Sequence, residues 1–227
     1  MLTRSRGAVS CKSLSLYREQ YGDFIGNAFE GDRKRENKFC SALNDYQSGD
    51  IRGAIKKLDA LLPSCKKKSE SFAVRFFLAR CYDSAGVHYT AIKYYESLLE
   101  LRAAPRATSR VLSNLASCYE AIGDTEGAEA RYRQAIEAYP ENPYPYNNMA
   151  HLFIRQGKYP EALEFSLKVS ELDPNIYQAY SAQAIAHAML GDSEASRAAL
   201  DRLVLCGGDA AGVREMIQQL KENEEAK

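Results

Sequence analysis

The sequence predicts an all-α chain, an α-solenoid of about five stacked helix pairs. Three observations predict it. Glycines recur at a near-constant interval: Gly49, Gly86, Gly123, Gly157 and Gly191 lie 37, 37, 34 and 34 residues apart. A small residue follows each glycine by five positions, as Ala54, Ala91, Ala128, Ala162 and Ser196. Between these marks, apolar residues return at helical spacing. A fixed period in this range is the signature of one supersecondary unit repeated along the chain.

Residues 1–12 hold Arg4, Arg6 and Lys12, and no acid precedes Glu19. That composition overlaps with an organelle transit peptide, and it also fits a disordered leader or the remnant of a longer N-terminus, the reading preferred here. Residues 13–34 carry Leu14, Tyr17, Tyr21, Phe24, Ile25 and Phe29 on one amphipathic face. Arg18 is the basic residue beside Glu19 and Asp23, so the face is expected to pack on the first repeat rather than lie on a membrane.

Five units follow, at 35–71, 72–108, 109–142, 143–176 and 177–210. The third shows the plan. A first helix from about Ser109 to Ala121 aligns Leu112, Leu115, Ala116 and Tyr119. Gly123-Asp124 ends it, because glycine accepts the left-handed cap conformation. A second helix aligns Ala128, Tyr132, Ala135 and Ile136, and Pro140 closes the unit. The fourth unit repeats this with Tyr146, Met149, Ala150, Phe153, Gly157, Ala162, Phe165, Val169 and Pro174. The first unit departs from the plan. Lys38 and Ser41 stand where apolar residues belong, and Phe39, Ala42, Leu43 and Tyr46 supply a rotated face. The first two units also carry three extra residues, read as longer loops at Lys66–Ser69 and Arg102–Arg106. Residues 211–227 put Val213, Met216, Ile217 and Leu220 on one stripe, as a C-terminal capping helix.

Composition narrows the function. The 227 residues are 45% hydrophobic and 26% charged, which is the balance of a globular chain. Net charge is zero, but residues 1–110 hold 20 Lys/Arg against 12 Asp/Glu, and the remainder holds the opposite surplus. Such asymmetry steers an acidic partner to the first half and a basic one to the second, or simply solvates exposed helices unevenly. Six scattered cysteines form no Cys-x-x-Cys pair, so no metal site and no disulfide framework is expected. That is reduced, cytoplasmic usage; organelle targeting and a fragment of a membrane-anchored protein are the alternatives. No apolar run reaches the ~20 residues that span a bilayer. His88 is expected to be exposed past the Gly86 turn and His187 to be a core residue. No nucleophile, acid/base or metal set is apparent, so neither an enzyme nor a cofactor is expected. Arg33–Arg35 and Lys66–Lys68 lack interleaved aromatics, so nucleic acid is not an expected partner.

The frame at 109–142 and 143–176, with its aromatic, Leu-Ala step, tyrosine, turn glycine, alanine and closing proline, resembles the tetratricopeptide repeat. The resemblance spans about residues 35–210 and implies a right-handed superhelix whose first helices line a concave groove. It implies a scaffold or adaptor that binds a protein or peptide there, or alternatively a substrate-holding chaperone of secretion or assembly. The second, fifth, ninth and twelfth frame positions would face the ligand. These include Arg80 in the second unit and Arg110 and Ser117 in the third, where Asn114 is also assigned to the groove. The fourth contributes Tyr144, Asn147, His151 and Ile154, and the fifth Gln178, Ile185 and Ala188. Asparagine offers a donor and an acceptor to a peptide backbone, and Arg80 and Arg110 suit a carboxylate. Some members hold chaperone tails by a two-carboxylate clamp of Lys, Asn, Asn, Lys and Arg. Here those positions read Ser113, Ser117, Asn148, Gln178 and Ala182, or Phe76, Arg80, Asn114, Tyr144 and Asn148. The central asparagine alone matches, so no such clamp is expected.

Overall fold

A computed structural model describes residues 28, 29 and 31–225. The leader expected at 1–12 and most of the segment 13–34 lie outside the described residues. Among the described residues there are eleven α-helices and no strand. The chain divides into two compact units, the first reaching Thr125 and the second starting at Glu126.

The first unit holds α1 (Arg33–Ser48), α2 (Ile51–Leu61), a 3-10 turn (Leu62–Ser64), α3 (Lys68–Ser84), α4 (His88–Leu99) and α5 (Pro105–Ala121). Each helix packs on the next. Asp32 caps α1 by accepting the Arg35 N–H at 3.0 Å, and Asp50 caps α2 by accepting that of Gly53 at 2.9 Å. Gly49, Gly86 and Gly123 sit at φ of 85°, 74° and 83°, so each turn uses the left-handed conformation that glycine adopts without penalty. The Arg102–Arg106 segment is shorter as a loop than its length suggests. Pro105 stands at the first position of α5, where its missing N–H costs nothing. Likewise Lys68 already belongs to α3, which shortens the Lys66–Ser69 segment.

The core of this unit is aromatic. Phe39, Phe76, Phe77 and Tyr95 are fully buried, with Phe77 edge-on to Phe39 at 5.7 Å and to Phe76 at 5.7 Å. In α1, Phe39, Ala42 and Leu43 are buried while Lys38 is exposed, the rotated face that the sequence pattern describes. Cys40 departs from the cysteine expectation: it is disulfide-bonded, whereas Cys65, Cys81, Cys118 and Cys206 are free.

The second unit holds α6 (Thr125–Ala138), α7 (Pro143–Arg155), α8 (Tyr159–Leu172), α9 (Tyr177–Met189), α10 (Ser193–Leu205) and α11 (Ala210–Glu225). Asn142 caps α7 and Asp192 caps α10. Helix α9 is central, touching α7, α8, α10 and α11, and Ala182 to Ala186 are all buried. Gln183 is buried among them because its Nε2 donates to the Ser166 carbonyl and the Ser170 hydroxyl, both at 3.0 Å. Ser196 donates to the Ala184 carbonyl at 2.9 Å, so a serine fills the small-residue position of this pair at no hydrogen-bonding cost.

Ala54, Ala91, Ala128 and Ala162 are all 0% exposed, which accounts for their smallness. A leucine at Ala91 would force α4 from its neighbours. Ala91→Leu is expected to lower stability by about 1–3 kcal/mol, read from urea denaturation; unchanged stability would mean that this position has room.

Candidate functional site

The residues expected to face a ligand fall in both units, and each unit presents its own set. In the first, Arg80, Arg110, Asn114 and Ser117 are all half-buried. Arg80 is not held out as a carboxylate hook. Its guanidinium lies over the Tyr46 ring at 5.1 Å and the Phe77 ring at 5.8 Å, a cation–π arrangement that ties α3 to α1. Ser117 donates its hydroxyl back to the Ser113 carbonyl at 3.2 Å, a bond within the helix.

In the second unit, Tyr144, Asn147 and His151 succeed one another at intervals of three and four on α7, so they share one stripe. Tyr144 is 55% exposed. The Asn147 amide oxygen Oδ1 is buried and has no hydrogen-bond partner. An unpaired buried acceptor costs free energy that a ligand N–H would recover. Burial, and secondarily the nearby Arg155 charge, hold the His151 imidazole below its ordinary pKa. At neutral pH His151 therefore offers one donor and one acceptor rather than a charge. Gln178 is half-buried on α9.

Helix α11 adds a feature that sequence reasoning did not place. It packs on α9 and α10, and its C-terminal half reaches α7 and α8. Met216 and Leu220 share a recess of about 330 Å³ with Ile154, Gln156 and Tyr159. The Tyr159 hydroxyl donates to Glu224 at 2.9 Å, and burial followed by this carboxylate pushes the phenol up to about 12. The Gln156 amide oxygen Oε1 is buried without a partner at the same recess. Ile217 meets Ala188 in a second recess. Two residues expected to face a ligand, Ile154 and Ala188, are thus lined by α11. The signal was the stripe Met216, Ile217 and Leu220, which fixes the apolar face of the helix but not the surface that it meets.

The histidines differ from expectation. His88 is 28% exposed with its Nδ1 2.9 Å from an Asp83 oxygen, rather than free in solvent. His187 is 22% exposed rather than a core residue, with its Nδ1 3.8 Å from Asp192.

Comparison with known proteins bears on this arrangement. Protein CTR9 homolog of Arabidopsis thaliana is 30% identical over 114 residues, half of this chain and 10% of that protein. Photosystem I assembly protein Ycf3 of Cyanophora paradoxa is 33% identical over 98 residues, 43% of this chain and 56% of that one. The chain thus spans a tenth and about half of the length of these two relatives. Among solved structures, BtubC from P. vanneervenii superposes with a TM-score of 0.66 at 19% identity, covering 92% of this chain and 91% of that one. Sequence profiles of the tetratricopeptide repeat match residues 70–141, 121–184 and 177–202. Taken with the repeated helix pairs, these matches establish that the chain belongs to the tetratricopeptide repeat family.

Proposed function

We propose that this chain is a protein-binding adaptor whose α7 stripe, Tyr144, Asn147 and His151, holds an extended segment of a partner. The observation that carries the reading is the Asn147 oxygen, buried and unpartnered, on the same stripe of α7 as the exposed Tyr144. A peptide backbone N–H satisfies such an acceptor, and the tyrosine supplies contact area with a polar tip. Arg110, Asn114 and Gln178 extend the polar surface on their own units. No catalytic role, nucleic-acid ligand or membrane span forms part of this reading; no helix among the described residues is long and apolar enough to cross a membrane.

The test is a displayed peptide library panned against the full chain. Enriched peptides are expected to bind Asn147→Ala/His151→Ala at least about tenfold more weakly, the loss of one well-made hydrogen bond in a desolvated site. Equal affinity for the double variant, measured by calorimetry, would remove α7 from the binding surface. A second reading, a chaperone that holds subunits during assembly, draws on the similarity to a photosystem I assembly protein. It predicts capture of unfolded chains over short folded-state motifs, which the same library separates by including denatured protein fragments.

A further inference from the structure

We propose that Asp83, His88 and Cys118 form a binding site for a divalent transition-metal ion of the zinc type. The three residues come from consecutive elements of the first unit: the end of α3, the first position of α4, and α5. Each offers one ligand atom, and these atoms lie within 4.8 Å of one another. The His88 Nδ1 is 2.9 Å and the Cys118 Sγ 3.3 Å from the same oxygen, Asp83 Oδ1. In a tetrahedral zinc site, metal–ligand distances of about 2.0–2.3 Å set ligand atoms roughly 3.3–3.8 Å apart. The two separations to Asp83 lie just below and at the lower edge of that range and the third pair lies within 4.8 Å, so side-chain adjustments of about an ångström would seat an ion.

The donor set has the right chemistry. Nitrogen, carboxylate oxygen and sulfur together suit a borderline ion such as Zn²⁺ or Co²⁺, not Mg²⁺ or Ca²⁺, which take oxygen. The burial is graded as such a site requires. Cys118 is 0% exposed, whereas the Asp83 and His88 side chains are 33% and 28% exposed. The sulfur therefore anchors the ion from inside, and the fourth position opens toward water. Three helix-borne groups are already converged by the packing of α3, α4 and α5, so little ordering entropy opposes binding.

The coordination step balances simply. The thiol proton leaves to solvent as the sulfur lone pair bonds to the cation, and the His88–Asp83 and Cys118–Asp83 hydrogen bonds give way to bonds to the ion. Metal binding at a thiol releases its proton, so binding is expected to weaken as pH falls. The sequence hides this site because Asp83 and Cys118 are 35 residues apart, one repeat, and no short motif joins them.

The test uses the full chain, stripped with chelator and handled anaerobically without added reductant, so that the Cys40 disulfide stays intact. Titration with Co²⁺ alone is expected to give one equivalent of binding, with a near-ultraviolet thiolate-to-cobalt band and the intense visible bands of four-coordinate cobalt. Zn²⁺ should displace it and raise the melting temperature. Cys118→Ser is expected to abolish the thiolate band. His88→Gln, on a partly exposed side chain and expected to fold, should weaken binding by at least about tenfold, since even supporting residues around a metal cost that much. Cys65→Ser/Cys206→Ser should titrate like the parent. Absence of a stoichiometric band would overturn the proposal. So would a band that persists undiminished in His88→Gln, or one lost in the Cys65/Cys206 double variant.

Discussion

Phe77→Ala is expected to lower the stability of the first unit by about 3–5 kcal/mol, the range for deleting a buried aromatic side chain. Phe77 is 0% exposed and is the hub of the aromatic core. Its ring meets Phe39 of α1 at 5.7 Å, Phe76 of α3 at 5.7 Å and Tyr46 of α1 at 6.3 Å, and the Arg80 guanidinium lies 5.8 Å from its face. Alanine leaves a void that helix packing cannot close, because neighbouring rings are held by their own contacts. Since repeat chains melt by local units, the loss should appear as an earlier denaturation step confined to the first unit. Hydrogen exchange read by mass spectrometry would locate it, with α1 and α3 amides losing protection and α9 amides keeping theirs. Lys38→Ala, on the exposed side of α1, should change stability by no more than about 0.5 kcal/mol. If Phe77→Ala behaves like Lys38→Ala, the aromatic hub is not what holds α1 to α3.

The second large effect is expected at Glu70, which is 1% exposed. Its Oε2 accepts from Arg35 Nη1 at 2.6 Å, from the Lys66 N–H at 2.8 Å and from the Lys67 N–H at 3.2 Å. Burial alone would raise its pKa. The two backbone N–H groups and the Arg35 guanidinium outweigh it and hold the carboxyl below its ordinary pKa. A carboxyl depressed on folding contributes stability that is present above its unfolded pKa and is lost as pH falls through the folded value. Acid destabilisation attributable to Glu70 should therefore set in as pH falls into the ordinary carboxylate range and deepen below it. Glu70→Gln keeps the shape but cannot ionise, so it should flatten that acid slope. Glu70→Ala also strips the acceptor from two backbone N–H groups, while Arg35 keeps Asp32 at 2.8 Å and the Ser64 carbonyl at 2.9 Å, and should cost about 2 kcal/mol at neutral pH. An unchanged acid slope in Glu70→Gln would assign the pH dependence elsewhere.

Much of the fold is legible in the sequence because it depends on residues that have few substitutes. A left-handed turn selects glycine at Gly49, Gly86, Gly123, Gly157 and Gly191, and a close helix crossing selects alanine or serine five residues later. Helix starts were less legible. Pro105 reads as a loop residue by composition, yet a first-turn proline loses nothing, so α5 begins four residues before Ser109. The candidate site was legible only as a stripe. Helical spacing aligns Tyr144, Asn147 and His151, but it carries no sign that the Asn147 oxygen is desolvated. Arg80 illustrates the limit differently. Its charge is visible in the sequence, whereas the Tyr46 ring that takes it up belongs to a helix 34 residues earlier. Asp83 and Cys118 meet for the same non-local reason.

Helix α11 has one further consequence. Only the four residues Cys206–Asp209 separate it from α10, which keeps its Met216 and Leu220 close to the recess that Ile154 also lines. A tethered segment of that kind acts as a resident competitor, present at an effective concentration on the order of millimolar. Any ligand that sought Ile154 would see its apparent Kd multiplied by the ratio of covered to uncovered chain, plus one. The second unit would then ignore fleeting apolar encounters and answer only to a segment that displaces both side chains and the Tyr159–Glu224 hydrogen bond together. The C-terminal helix would in that case set a threshold for admission to that surface, which a solvent-facing end cap alone would not do.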